Sequence, residues 1–85
     1  MVVKELKSIF DNAKSFYKKA KITEIDNTII LKSYNTNILT LNNNKIKFCC
    51  DSWAITKTTM RHIKEFYKQF LGIFNITKKD ILKQL

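Results

Sequence analysis

Apolar residues at Leu6, Ile9, Phe10, Ala13, Phe16, Tyr17 and Ala20 recur with the three-and-four spacing of a helix that buries one face. The pattern predicts an N-terminal helix from Val3 to Lys19. From Lys21 to Cys50 the texture changes to β-branched residues broken by short polar pairs. Ile22 to Ile25 and Thr28 to Tyr34 flank Asp26-Asn27, while Ile38 to Leu41 and Lys45 to Cys50 flank Asn42-Asn43-Asn44. Asp and Asn tolerate the positive φ of tight hairpins, so an antiparallel meander of three to four strands is expected. Tyr34-Asn35-Thr36-Asn37 reads as a turn, with a bulged continuous strand as the alternative.

Helical spacing returns at Met60, Ile63, Phe66, Tyr67, Phe70 and Leu71. Thr58 or Thr59 is placed to cap this helix, and Gly72 to end it in the left-handed conformation. Thr77 and Asp80 have capping-box spacing and open a short helix to the C-terminus. Residues 1–85 thus predict a single α+β domain. Its elements are an N-terminal helix, the meander, and a long and a short C-terminal helix packed on one face of the sheet. Phe10, Phe16, Phe66, Phe70 and Phe74 are expected in its core. Tyr34 and Trp53 have polar neighbours and are the candidates for base stacking or partner contact, although Trp53 is expected to close the core where the sheet meets the second helix.

Charge sharpens the picture. Sixteen Lys and Arg against seven Asp and Glu give a formal net charge of +9, which favours anionic partners. Lys, Asn and Ile, all with AT-rich codons, make up 35 of the 85 residues, so codon bias alone inflates lysine and points to a low-GC bacterium or its phage. Placement must therefore decide. On a helical reading Lys4, Lys7, Lys14, Lys18 and Lys21 form one stripe, interrupted by Asp11. Lys57, Arg61, Lys64 and Lys68 form a second, with Glu65 on the opposite flank. The candidate phosphate contacts are Lys7, Lys14, Lys18, Lys57, Arg61, Lys64 and Lys68. Lysine predominates over arginine, which suits phosphate contact without precise base reading.

Catalytic chemistry finds little support. His62 is the only histidine; near a helix start its charged form is disfavoured, and Glu65 is placed to hold one ring nitrogen. Cys49, Cys50 and Asp51 are its only candidate partners and form no motif, so a structural role is expected for it. The adjacent cysteines lack metal-ligand spacing and read as cytosolic thiols, one buried and one exposed. A chain with one glycine has no Gly-rich phosphate loop, and no carboxylates cluster for a metal-dependent nuclease. The expectation is a protein that is not an enzyme, with no cofactor, no metal and no membrane attachment, in the cytoplasm of a bacterial host cell.

Ser33-Tyr34-Asn35-Thr36, followed by Thr58-Thr59-Met60-Arg61-His62-Ile63 and Phe66, resembles a family of small uncharacterised proteins from phages and mobile elements of low-GC bacteria. Those carry S-Y-x-T and T-T-x-(R/K)-H-I-x-x-F segments. The resemblance implies that Thr59 caps the helix and that His62 braces the cap against the strand bearing Tyr34. It also frames two functions. The first is a non-enzymatic accessory protein binding nucleic acid, DNA or RNA, through lysine stripes on two helices. The alternative is an anti-CRISPR-type inhibitor of a host-defence nuclease that docks on a host nucleoprotein effector by protein contacts. A charge of +9 rules out mimicry of nucleic acid.

Overall fold

The computed structural model describes residues 2–11, 16 and 18–85 and is built on a five-stranded antiparallel sheet whose strand order repeats the chain order. The strands are β1 (Val2–Glu5), β2 (Ala20–Ile25), β3 (Thr28–Ser33), β4 (Thr36–Asn42) and β5 (Lys45–Phe48). A short 3-10 turn, Ser52–Ala54, leads into helix α1 (Lys57–Phe66), which continues as a π-helical turn, Tyr67–Leu71; helix α2 is Lys78–Leu82. The domain is α+β, but its strands come first.

The N-terminal helix is not formed among the described residues. Val2, Val3, Lys4 and Glu5 instead pair with Glu24, Thr23, Ile22 and Lys21 as a fifth, edge strand. Two of these four residues are β-branched, and the open edge of β2 offers every one of them a backbone partner. That pairing overrides the helical spacing downstream. Leu6 and Phe16 are buried, whereas Ile9 and Phe10, which a helix would have turned inward, are exposed. Ala13, Lys14 and Tyr17 lie outside the described residues.

The rest of the sheet follows the turn chemistry. Asp26 has φ 53°, and Asn43 and Asn44 have φ 52° and 62°, the left-handed values that Asp and Asn accept most readily. Tyr34-Asn35 closes the β3–β4 hairpin, and a register shift between Leu31 and Lys32 adds a bulge to that turn. Directly opposed residues share a face, so Ile22, Leu31, Leu39 and Phe48 form one inward row. Glu5, Lys21, Lys32 and Asn37 form a row on the opposite face.

Helix α1 covers the inner face with Met60, Ile63 and Phe66. Truncating a fully buried Phe66 to Ala would cost about 3–5 kcal/mol. The cap is Thr56 rather than Thr58 or Thr59: its Oγ1 accepts the Thr59 N–H at 3.2 Å. Gly72 ends the π-helical turn at φ 68°. The capping box forms, with Thr77 N–H donating to Asp80 Oδ2 at 3.0 Å and Asp80 N–H to Thr77 Oγ1 at 3.3 Å. These Thr77 donors hold the Asp80 carboxyl below its usual range.

Three core expectations change. Phe16 and Phe66 are buried and Phe70 packs on the core, but Phe10 and Phe74 are exposed and meet edge to face at 5.1 Å. Trp53 does not close the core; it is 80% exposed. Glu65 is buried yet does not hold His62. Its carboxylate accepts the backbone N–H groups of Phe10 (3.0 Å) and Asp11 (2.9 Å) and the Gln69 amide, so it clasps the N-terminal segment to α1. Cys49 is exposed and Cys50 half-buried, where burial, and then Cys49 and Asp51, push its thiol pKa up. No helix among the described residues is long and apolar enough to cross a membrane.

Candidate functional site

Among the described residues no N-terminal helix forms, so the first lysine stripe has no common axis there. Lys4 sits on the edge strand β1 and pairs with Glu24 at 2.9 Å. Lys7 lines a cleft of about 390 Å³ with Leu6, Ile9 and Phe70. Lys14 lies outside the described residues. What the fold does bring together is Lys18, Lys19 and Lys21, which line a cleft of about 230 Å³ with Tyr34 and Asn35. The Lys19 ammonium lies 5.4 Å from the centre of the Tyr34 ring, within cation–π range.

Tyr34 is also a wall of a second cleft, of about 280 Å³, that it shares with Trp53, Ser33, Thr36, Thr56 and Thr59. Both aromatic candidates therefore face one opening, with the lysines on the other side of Tyr34. The Trp53 indole N–H donates to Asp51 Oδ2 at 3.2 Å, which orients the ring by its edge. Beyond Tyr34, Lys21 stands directly opposite Lys32 across the β2–β3 ladder. Such a like-charge pair destabilises a sheet unless an anion is near. Glu5, on the other flank of Lys21, is one, and it also accepts the Lys18 N–H at 3.1 Å.

Backbone conformation marks the same place. Among the described residues five non-glycine residues have positive φ; three are Asp26, Asn43 and Asn44, and the other two are Lys18 (62°) and Tyr34 (56°). An aromatic side chain there costs about 1–3 kcal/mol that Asn or Gly would avoid. The Tyr34 N–H is tied to the Lys19 carbonyl at 2.6 Å, so the two strained segments hold each other.

Three cations of the second stripe, Lys57, Arg61 and Lys64, lie on α1, and their surroundings differ. Lys57 and Lys64 are exposed and Lys68, in the π-helical turn, is half-buried. Arg61 is engaged: its guanidinium pairs with the Asp11 carboxylate, with Nε at 3.2 Å from Oδ2, and this contact raises its pKa further.

A profile of a family of unknown function, DUF8033, matches residues 4–83. The chain belongs to that family. No curated protein and no solved structure matches it.

Beneath the cleft, this DUF8033 chain carries a buried polar network. Ser33 Oγ lies 2.8 Å from His62 Nδ1 and 3.1 Å from Thr59 Oγ1, and the Thr56 hydroxyl donates to Thr59 Oγ1 at 3.2 Å. Thr59 thus serves the network, and His62 braces α1 against the strand that leads into Tyr34. The Ser33–His62 contact is buried and joins β3 to α1. Burial, and then the Arg61 charge, lower the His62 pKa to about 4, so the ring is a weak base at neutral pH. Its Nε2 has no hydrogen-bond partner among the described residues. Nor do three His, Cys, Asp or Glu side chains gather as metal ligands among those residues.

Reading the sequence as helix put Lys21 in a stripe but not among the candidate phosphate contacts, and left Lys19 and Lys32 out of both. A signal for two of them was present: a two-residue turn at Asp26-Asn27 sets Lys21 opposite Lys32.

Proposed function

We propose that this DUF8033 chain is a small, basic, non-enzymatic protein of the bacterial cytoplasm, of the kind carried by phages and mobile elements, that binds nucleic acid. One observation carries the reading: Lys18, Lys19 and Lys21 gather around Tyr34, on a backbone strained at Lys18 and Tyr34, next to a cleft walled by Trp53. Cations beside exposed rings are the two elements of a surface that holds phosphate and base together. The interface is then the sheet end bearing Tyr34, with Lys57 and Lys64 of α1 adding long-range attraction rather than contacts.

Binding of a labelled oligonucleotide, followed by anisotropy across a salt series, tests this. Affinity should fall linearly on a log–log plot with a slope of about −2 to −3, as expected when three lysines displace counterions. A slope near zero, or no binding at low salt, would refute it.

A second reading, an inhibitor of a host-defence nuclease acting by protein contacts, draws on a different surface. Phe10 and Phe74, 46% and 55% exposed, pack on each other beside exposed Ile9 and Ile73. An apolar patch of that kind fits a protein partner. A pull-down from nuclease-treated host lysate separates the readings: one protein retained, and lost on Phe74→Ser, favours the inhibitor.

A further inference from the structure

We infer that the ligand of this surface is an unpaired, single-stranded stretch of nucleic acid, with a base held between Tyr34 and Trp53 and the flanking phosphates on Lys18, Lys19 and Lys21. The inference rests on the nucleic-acid reading above and narrows it to one substrate class. Duplexes bury their base faces in the stack, so exposed rings gain little from them, whereas unpaired bases offer a π-face to any aromatic side chain.

Three features favour the single strand. Trp53 is 80% exposed and Tyr34 46%, and they wall one cleft of about 280 Å³, which gives a flat group two rings to meet. The cleft's floor is fixed, because Ser33 and Thr59 are locked to His62 and Thr56 behind it. Charge is also divided along the surface. The Asp51 carboxylate lies at the Trp53 indole and repels phosphate there, while beyond Tyr34 three lysines outnumber one carboxylate, Glu5. A ligand that alternates uncharged planar groups with phosphates matches that division; a rod with phosphates all along its outside does not.

Trp53 is the only tryptophan, so its emission reports on this cleft alone. Single-stranded oligouridine and oligothymidine of about ten nucleotides, and a duplex of equal length, would be titrated at low salt into the full chain, with emission and anisotropy both read. The expected result is quenching of Trp53 by at least one single strand and an affinity about tenfold above that for the duplex. Trp53→Ala should lower single-strand affinity about tenfold and leave duplex affinity unchanged, while Trp53→Phe, which keeps a ring, should retain most of it. Uridine and thymidine arms show whether RNA or DNA is preferred. Equal, salt-sensitive affinity for duplex and single strand with unmoved Trp53 emission would overturn the single-strand inference and leave the broader reading standing. Absence of binding to all three would overturn both.

Discussion

The two basic regions of this molecule have similar composition and different surroundings. On α1, Lys57, Arg61 and Lys64 keep regular helical spacing, with Lys68 in the π-helical turn beyond, yet Arg61 is taken by Asp11. At the sheet end, Lys18, Lys19 and Lys21 have no regular spacing, yet they converge on Tyr34, and two residues of the cluster sit in a conformation their side chains disfavour. Periodicity along a helix is what any amphipathic segment in a lysine-rich chain shows. Three lysines within one four-residue stretch, met by Tyr34 from the next hairpin and held against a backbone cost, need another cause.

The sharpest way to break this contrast is to reverse charge in each region separately. Lys18, Lys19 and Lys21→Glu should reduce oligonucleotide affinity about a thousandfold at low salt, whereas Lys57, Lys64 and Lys68→Glu, with the same change in net charge, should cost at least tenfold less. Equal losses measured by anisotropy would mean that net charge alone drives binding.

The buried network under the cleft gives the next largest effect, on stability rather than affinity. His62 has a folded pKa of about 4, below its ordinary 6.5, so the unfolded chain binds the extra proton between these values. Its contribution is complete above about pH 6.5 and lost as pH falls toward 4, at most about 3 kcal/mol. Urea denaturation at pH 7 and pH 4.5 checks this, and His62→Gln should flatten that part of the profile.

The smallest effect tests the strained turn itself. Tyr34→Asn should leave stability unchanged or raise it by up to about 1 kcal/mol, because Asn accepts positive φ, while nucleic-acid affinity falls severalfold. A variant that loses stability and keeps affinity would show that Tyr34 is there for the fold.

Much of this was readable from residues, and the failures have physical causes. Asp26-Asn27 and the Asn42–Asn44 run fixed two hairpins because their side chains tolerate positive φ, and Gly72 and the Thr77/Asp80 pair marked helix ends through local chemistry. The N-terminal segment misled because Val2 to Glu5 is too short to display alternation, and its partner strand lies beyond fourteen further residues in the register Val2↔Glu24 to Glu5↔Lys21. The site suffered with it: once Lys18 and Lys21 are read as helical, nothing directs them to Tyr34. Glu65 gave no warning, since a carboxylate on a helix flank is normally solvated, whereas here it terminates the N–H groups of residues more than fifty positions away.

That clasp bears on how the chain assembles. Each strand of the sheet pairs with its sequence neighbours, and from β2 to β5 the hairpins close over two-residue turns and can zip up in order as the polypeptide emerges. The Glu65 contacts to Phe10 and Asp11, at separations of 55 and 54 residues, join the N-terminal segment to α1 together with the Arg61–Asp11 ion pair and the Gln69 amide on the Lys7 carbonyl. Ring closure over that span is an entropic step of a different order, and it belongs at the end of folding, when α1 has been synthesised and its carboxylate reaches back to seal the first strand in place.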